Sequence, residues 1–96
     1  TGGGIIVKVL DALAAGTPVV TTSYGNEGVG GVPGRDLLVA DDAPAFAEAV
    51  ARLLTDSAYA ERLAASGRAF VAERYGVETV LARLEAVYAG LVKDEG

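Results

Sequence analysis

The 96-residue chain has no cysteine and no histidine. The first absence removes disulfides and thiolate metal sites. The second removes a catalytic imidazole, an ordinary zinc site and a Ser-His-Asp triad from this stretch of chain. Basic residues are few: eight Lys and Arg against thirteen Asp and Glu, a net charge of −5. That balance argues against nucleic acid as a partner, because a phosphate backbone needs a basic surface. No apolar run approaches the roughly 18 residues of a membrane span, and no signal peptide is visible. What remains is a chain that is 51% hydrophobic, enough to form the core of one small domain or part of one.

The most informative stretch runs from Gly2 to Val20. Three glycines, Gly2, Gly3 and Gly4, feed an apolar segment, Ile5–Ala15, whose only charges are Lys8 and Asp11. Gly16 then stops the pattern and Thr17-Pro18-Val19-Val20 follows. The reading is a glycine loop, a buried helix and a short strand. Residues three apart on a helix are neighbours, which places Lys8 and Asp11 on adjoining parts of one face. Unpaired N–H groups at a glycine-led helix N-terminus suit phosphate, and Asp11, two turns on, suits a hydroxyl. Local pattern leaves other readings open. Three glycines also mark chain ends, Lys8 and Asp11 could be a plain intrahelical pair, and Ile5-Ile6-Val7 could begin a strand.

Downstream, the pattern predicts a strand over Val19–Thr22 whose end places the hydroxyls of Thr21, Thr22 and Ser23 where open parallel sheets hold ligands. Tyr24–Gly34, with five glycines, reads as a loose loop, and Glu27 is its notable charge. Leu37–Ala40 reads as a second strand, parallel to the first. Asp41-Asp42 precedes a helix over 43–54. The adjacent aspartates are better explained as an N-cap, with Pro44 in the first turn, than as a metal site. A helix over 57–74 is expected to turn Tyr59, Leu63, Phe70 and Val71 inward, with Gly67 marking a close packing contact. A last helix, 77–92, carries the apolar stripe Val77, Val80, Leu81, Leu84, Val87, Tyr88 and Leu91. The charged faces, Arg83 among them, read as solvated surface.

The succession Gly-x-Gly-x-x-x-Lys-x-Leu-(Asp/Glu)-Ala-Leu-Ala-x-Gly-x-Pro-Val-Val, here Gly2 to Val20, resembles the donor-site helix of nucleotide-sugar glycosyltransferases with the two-domain GT-B fold. More narrowly, it is similar to the group 1, retaining family. The resemblance continues through Gly25-Asn26-Glu27-Gly28, Asp36–Asp42, Phe46–Val50, Gly67-Arg68 and Tyr75–Glu78, in order and with matching spacing. It implies an α/β fold, the second half of a Rossmann-like donor domain, built as helix, strand, loop, strand and three helices. Residues 1–96 are then the C-terminal part of the nucleotide-sugar-binding domain, with an acceptor domain and the first donor-domain strands before Thr1.

The resemblance also carries roles. The family's carboxylate-x7-carboxylate motif puts its second, ribose-binding carboxylate at Asp11 and its first at Gly3, where it is missing. A subset of the family with the Gly-x-Gly-x-x-x-Lys variant lacks it too, and the departure leaves open how the donor sugar's own hydroxyls are held. Backbone N–H groups around Gly4, Ile5 and Ile6 match the positions that approach the diphosphate, with Lys8 beside them. Ser23, Gly25, Glu27 and Gly28 border the cleft. Val77 stands where relatives often carry Trp, a packing position.

The implied activity is transfer of a sugar from a nucleotide diphosphate sugar to an unidentified acceptor hydroxyl. No metal cofactor is expected, and the place of action is cytoplasmic or peripheral at the inner face of the membrane. The catalytic basic pair lies upstream in the family, so this stretch alone should be inactive. With two strands and an open edge, it should also self-associate. A nucleotide- or sugar-phosphate-binding module without transfer chemistry is the alternative. A dinucleotide-dependent oxidoreductase fits less well: its acidic residue, expected about 20 positions beyond the glycines, would fall in Thr21–Asn26, which has no carboxylate.

Overall fold

The computed structural model describes the backbone of residues 2–95 and the side-chain surroundings of residues 6–79, 81–86, 88 and 89. The elements are α1 (Gly2–Ala14), β1 (Val20–Thr21), α2 (Ser23–Val29), β2 (Leu38–Val39), α3 (Ala43–Thr55), α4 (Ser57–Tyr75) and α5 (Val77–Glu95). The result is a mixed α/β unit, mostly helical, around a small parallel sheet.

The glycines expected as a loop, Gly2–Gly4, already form the first turn of α1. At its other end α1 stops in a Schellman arrangement. The Gly16 N–H donates to the Leu13 carbonyl and the Thr17 N–H to that of Ala12, both at 3.0 Å. Gly16 has φ +77°, a left-handed conformation that a side chain resists. The chain then turns directly into β1. Val20 pairs with Leu38 and Thr21 with Val39 in parallel register, so both expected strands are present but shorter than anticipated.

The segment expected as a loose loop is largely ordered as α2, a correction to the glycine-based reading. The Thr22 hydroxyl oxygen accepts from the Gly25 N–H at 3.1 Å and caps the helix start. Gly30 closes it in a left-handed turn. Beyond it, the Asn26 amide brackets Gly31, donating to its carbonyl at 2.8 Å and accepting its N–H at 3.0 Å. Local side-chain bonds thus supply the order that the glycines withhold.

The core is formed by Val9, Leu13 and Ala14 of α1, Val19, Val29 of α2, Leu37 and Val71 of α4. Tyr59 and Leu63 are also buried, and Phe70 is partly buried, as expected for α4. Gly67 sits where α4 crosses α1. A Cβ there would stand 2.6 Å from the Asp36 carbonyl oxygen and 2.7 Å from Leu13 Cδ2, so only glycine fits. Asp36, 2% exposed, is the one buried carboxylate among the described residues. It accepts from the Val32 N–H at 2.9 Å and from Arg35 Nε and Nη2 at 3.0 and 2.9 Å, which pins the turn before β2.

Two helices pack less than their sequences suggested. No residue of α3 is buried, and Phe46 and Leu54, expected on its inner face, are 42% and 81% exposed. Of the α5 stripe, Leu84 packs against the core while Val77, Leu81 and Tyr88 face outward. Val80, Val87 and Leu91 lie outside the residues whose side chains are described.

Candidate functional site

Gly2, Gly3 and Gly4 form the first described turn of α1, and helix geometry directs their N–H groups toward its amino end. The regular helical pattern directs the Ile6 N–H back toward the Gly2 carbonyl. The Ile5 side chain lies outside the described set.

Ile6 meets α2. A Cβ on Gly28 would collide with the Ile6 side chain, so α1 and α2 approach closely there because position 28 carries none. Ile6, Tyr24, Glu27 and Gly28 line a shallow hollow of about 280 Å³ beside the amino-terminal turns of α1. The structure therefore brings together three residues singled out in the sequence, Ile6, Glu27 and Gly28, and adds Tyr24. The Tyr24 ring is exposed on α2, one turn before Glu27 and Gly28.

The other two cleft candidates have structural duties. Gly25 is buried, and its N–H is taken by the Thr22 cap. Ser23 donates both its N–H (2.7 Å) and its hydroxyl to the Asp41 carboxylate, which ties the carboxyl ends of the two strands together. These bonds hold the Asp41 carboxyl below its ordinary range: the Ser23 hydroxyl contributes most and the Ser23 N–H next, against a small desolvation effect. Thr21 is buried, so the strand-end hydroxyls expected to face a ligand are a cap, a tie and a core group. Asp42 accepts from the Ala45 N–H at 2.8 Å and caps α3, as its position before Pro44 implied. A second hollow, between Thr22, Asp41 and Phe46, opens at these same strand ends.

Lys8 is exposed and makes no ion pair among the described residues, so the expected Lys8–Asp11 neighbourhood is not a bonded one. Asp11 is engaged instead by Arg83 of α5. Arg83 Nε donates to Oδ1 at 2.7 Å and Nη2 to Oδ2 at 2.9 Å. This corrects the reading of Arg83 as solvated surface. The carboxylate keeps 21% of its side chain exposed and the arginine 41%. Hydrogen bonding to Asp11, then its charge, holds the Arg83 guanidinium above its ordinary pKa, so it stays charged. Nothing in the local sequence pointed to this contact, which spans 72 positions.

The structure is a mixed α/β unit in which a glycine-led helix carries an exposed Lys8 and a part-exposed Asp11. The sequence pattern described as "Glycosyl transferases group 1" matches residues 1–56, which span α1 to α3, and the chain belongs to that family. The family uses nucleotide-sugar donors. No curated protein and no solved structure matches the chain. Among the described residues, no helix is long and apolar enough to cross a membrane.

Proposed function

We propose that this chain is the C-terminal part of the donor-binding domain of a GT-B glycosyltransferase, and that α1 is its nucleotide-sugar-binding helix. The observation that carries this reading is the layout of α1, inside the region that matches the family. The Gly2–Gly4 turn directs its N–H groups toward the amino end, Lys8 is exposed, and Asp11 lies one turn beyond Lys8. A diphosphate at the amino end is stabilised by those donors and by the helix dipole. The ribose hydroxyls then reach Asp11. Glu27 and Tyr24, across the hollow from Ile6, border the sugar side of the cleft.

In the reaction, the bond between the anomeric carbon and the diphosphate oxygen breaks, and a new bond forms from that carbon to the acceptor oxygen. The nucleoside diphosphate leaves with the bonding electrons, and the acceptor's proton passes to the departing diphosphate oxygen. Donors aimed at the diphosphate stabilise the charge that grows there, the kind of effect that dominates such catalysis. The expected outcome is retention at the anomeric carbon, without a bound metal. The basic groups that complete the site come from outside this chain, so the chain alone is inactive.

Calorimetric titration of the full-length protein with UDP, GDP and ADP tests the reading. Asp11→Ala should weaken the nucleotide that binds by about 1–3 kcal/mol, the loss of hydrogen bonds to a charged group. Binding indifferent to Asp11 places the ribose elsewhere. Absence of any nucleotide binding favours a protein without transfer chemistry, a reading that Gly3, in place of the family's first carboxylate, keeps in play.

A further inference from the structure

We propose that Arg83 is an internal competitor for the nucleotide site: in the free protein its fork holds the Asp11 carboxylate, and it must let go before a ribose diol can bind there. This rests on the reading of Asp11 as the ribose ligand.

The fork and the diol need the same two acceptor positions. Arg83 Nε donates to Oδ1 of Asp11 at 2.7 Å and Nη2 to Oδ2 at 2.9 Å. One planar group that reaches both oxygens at once takes the two positions converging in front of the carboxylate. The remaining acceptor positions diverge to its flanks. Two hydroxyls on adjacent ribose carbons also approach from one side, and they too need the converging pair. Either the arginine or the diol can have it.

A second arginine–aspartate fork in the molecule shows what a permanent one looks like. Asp36 is 2% exposed, and the Val32 N–H adds a backbone donor to the two bonds from Arg35. Breaking that fork strands a charge in the core. Asp11 keeps 21% of its side chain exposed, and among the described residues Arg83 alone donates to it. Opening this fork leaves both charges within reach of water, so it costs little. The Arg83 side chain, 41% exposed, has solvent to swing into. Leu84, the next residue, packs against the core, so α5 keeps its seat when Arg83 turns away.

The consequence is a graded gate. The ribose reaches Asp11 in the fraction of molecules whose fork is open, and the apparent affinity falls by that fraction. Through one side chain, α5 sets the affinity of a site that α1 carries.

Ribose and 2′-deoxyribose separate the outcomes. Kd values for UDP, GDP and ADP and for their 2′-deoxy forms are measured on the full-length protein, on Arg83→Met, on Asp11→Ala and on the double variant. Methionine keeps a long stem and has no donor. Loss of the guanidinium's charge weakens both forms of a nucleotide alike, so the ratio of their Kd values reads the diol. A 2′-deoxy form, with one hydroxyl left, gains less from an open carboxylate. The preference for the ribonucleotide should therefore rise in Arg83→Met by roughly two- to fivefold, the worth of an ion pair this exposed. That rise should vanish when Asp11→Ala is added. Arg83→Lys, which keeps the charge and loses the fork, should show part of it. A ratio at or below the native one in Arg83→Met, beside a lowered ratio in Asp11→Ala, overturns the competition and leaves Asp11 as the ribose ligand. A ratio that ignores Asp11→Ala in both backgrounds, or no nucleotide binding to any of these proteins, overturns the ribose reading and the competition with it.

Discussion

Helices α4 and α5 have the same length, 19 residues, and their described side chains differ in burial. The α4 segment is rich in charge, yet it buries Tyr59, Leu63, Gly67 and Val71, a row of every fourth residue. The α5 segment is the more apolar of the two to the eye, yet it leaves Val77 63%, Leu81 52% and Tyr88 71% exposed. The difference lies across the helix rather than in it. Leu13 of α1 and the Asp36 turn meet α4 at Gly67, where the missing side chain lets backbone touch backbone. Among the described side chains of α5, Leu84 and Arg83 engage the body. An apolar stripe reports what a helix can bury, and the facing surface decides whether it does.

The largest expected effect tests this contrast with matched substitutions. Leu63→Ala should destabilise the 96-residue chain by about 2–5 kcal/mol, the range for emptying a packed site. Leu81→Ala should stay within about 0.5 kcal/mol, as for an exposed position. Urea denaturation followed by circular dichroism measures both. Equal losses would break the comparison, since they require Leu81 to be as covered as Leu63.

A smaller effect sharpens it at one atom. Gly67→Ala gains about 1 kcal/mol of helix propensity. Its new methyl, however, meets the Asp36 carbonyl oxygen and Leu13 Cδ2 well inside contact distance. Overpacking of this kind costs about 1–3 kcal/mol, and more against a rigid backbone. The net expectation is destabilisation of about 1–2 kcal/mol, read as a lower denaturation midpoint with an unchanged slope. A stabilised variant would mean that α4 and the Asp36 turn are not in close contact.

The features legible in the sequence are those with a local cause. Gly16 ends α1 because the turn needs its left-handed φ, Asp42 before Pro44 is a cap, and Gly67 within a helix marks a crossing. The two short apolar runs pair in parallel as their spacing implied. The order of the Gly25–Gly31 region was not legible, because glycine count speaks for chain freedom and is silent about what restrains it. There the restraints are the Thr22 cap, the Asn26–Gly31 bracket and the packing of Gly28 on Ile6. At the candidate site, the placing of Gly2–Gly4, Lys8 and Asp11 along one helix follows from the local pattern. Arg83 does not: its partner lies 72 residues away, and neither residue's neighbours betray the pairing. The Ser23–Asp41 tie, 18 residues apart, escaped for the same reason.

That tie carries the smallest effect, and it belongs to the tightly joined part of the molecule. Both the N–H and the hydroxyl of Ser23 donate to Asp41, and the carboxyl is held below its usual range, chiefly by the hydroxyl. A carboxyl with a lowered folded-state pKa favours the folded state when ionised. Its contribution is present in full above the unfolded value, about 4 for aspartate. It is lost as the pH falls through the lower folded value. Ser23→Ala removes the hydroxyl and keeps the N–H, so Asp41 should titrate closer to an ordinary aspartate without reaching it. At neutral pH the variant should lose less stability than Leu63→Ala or Gly67→Ala, because both groups are exposed. Carboxyl-detected NMR titration of Asp41 in the two proteins reads the shift directly. An unchanged titration would mean that the two strand ends are no more firmly joined than α5 is to the body, and the contrast between the halves of the molecule would not extend to the carboxyl end of the sheet.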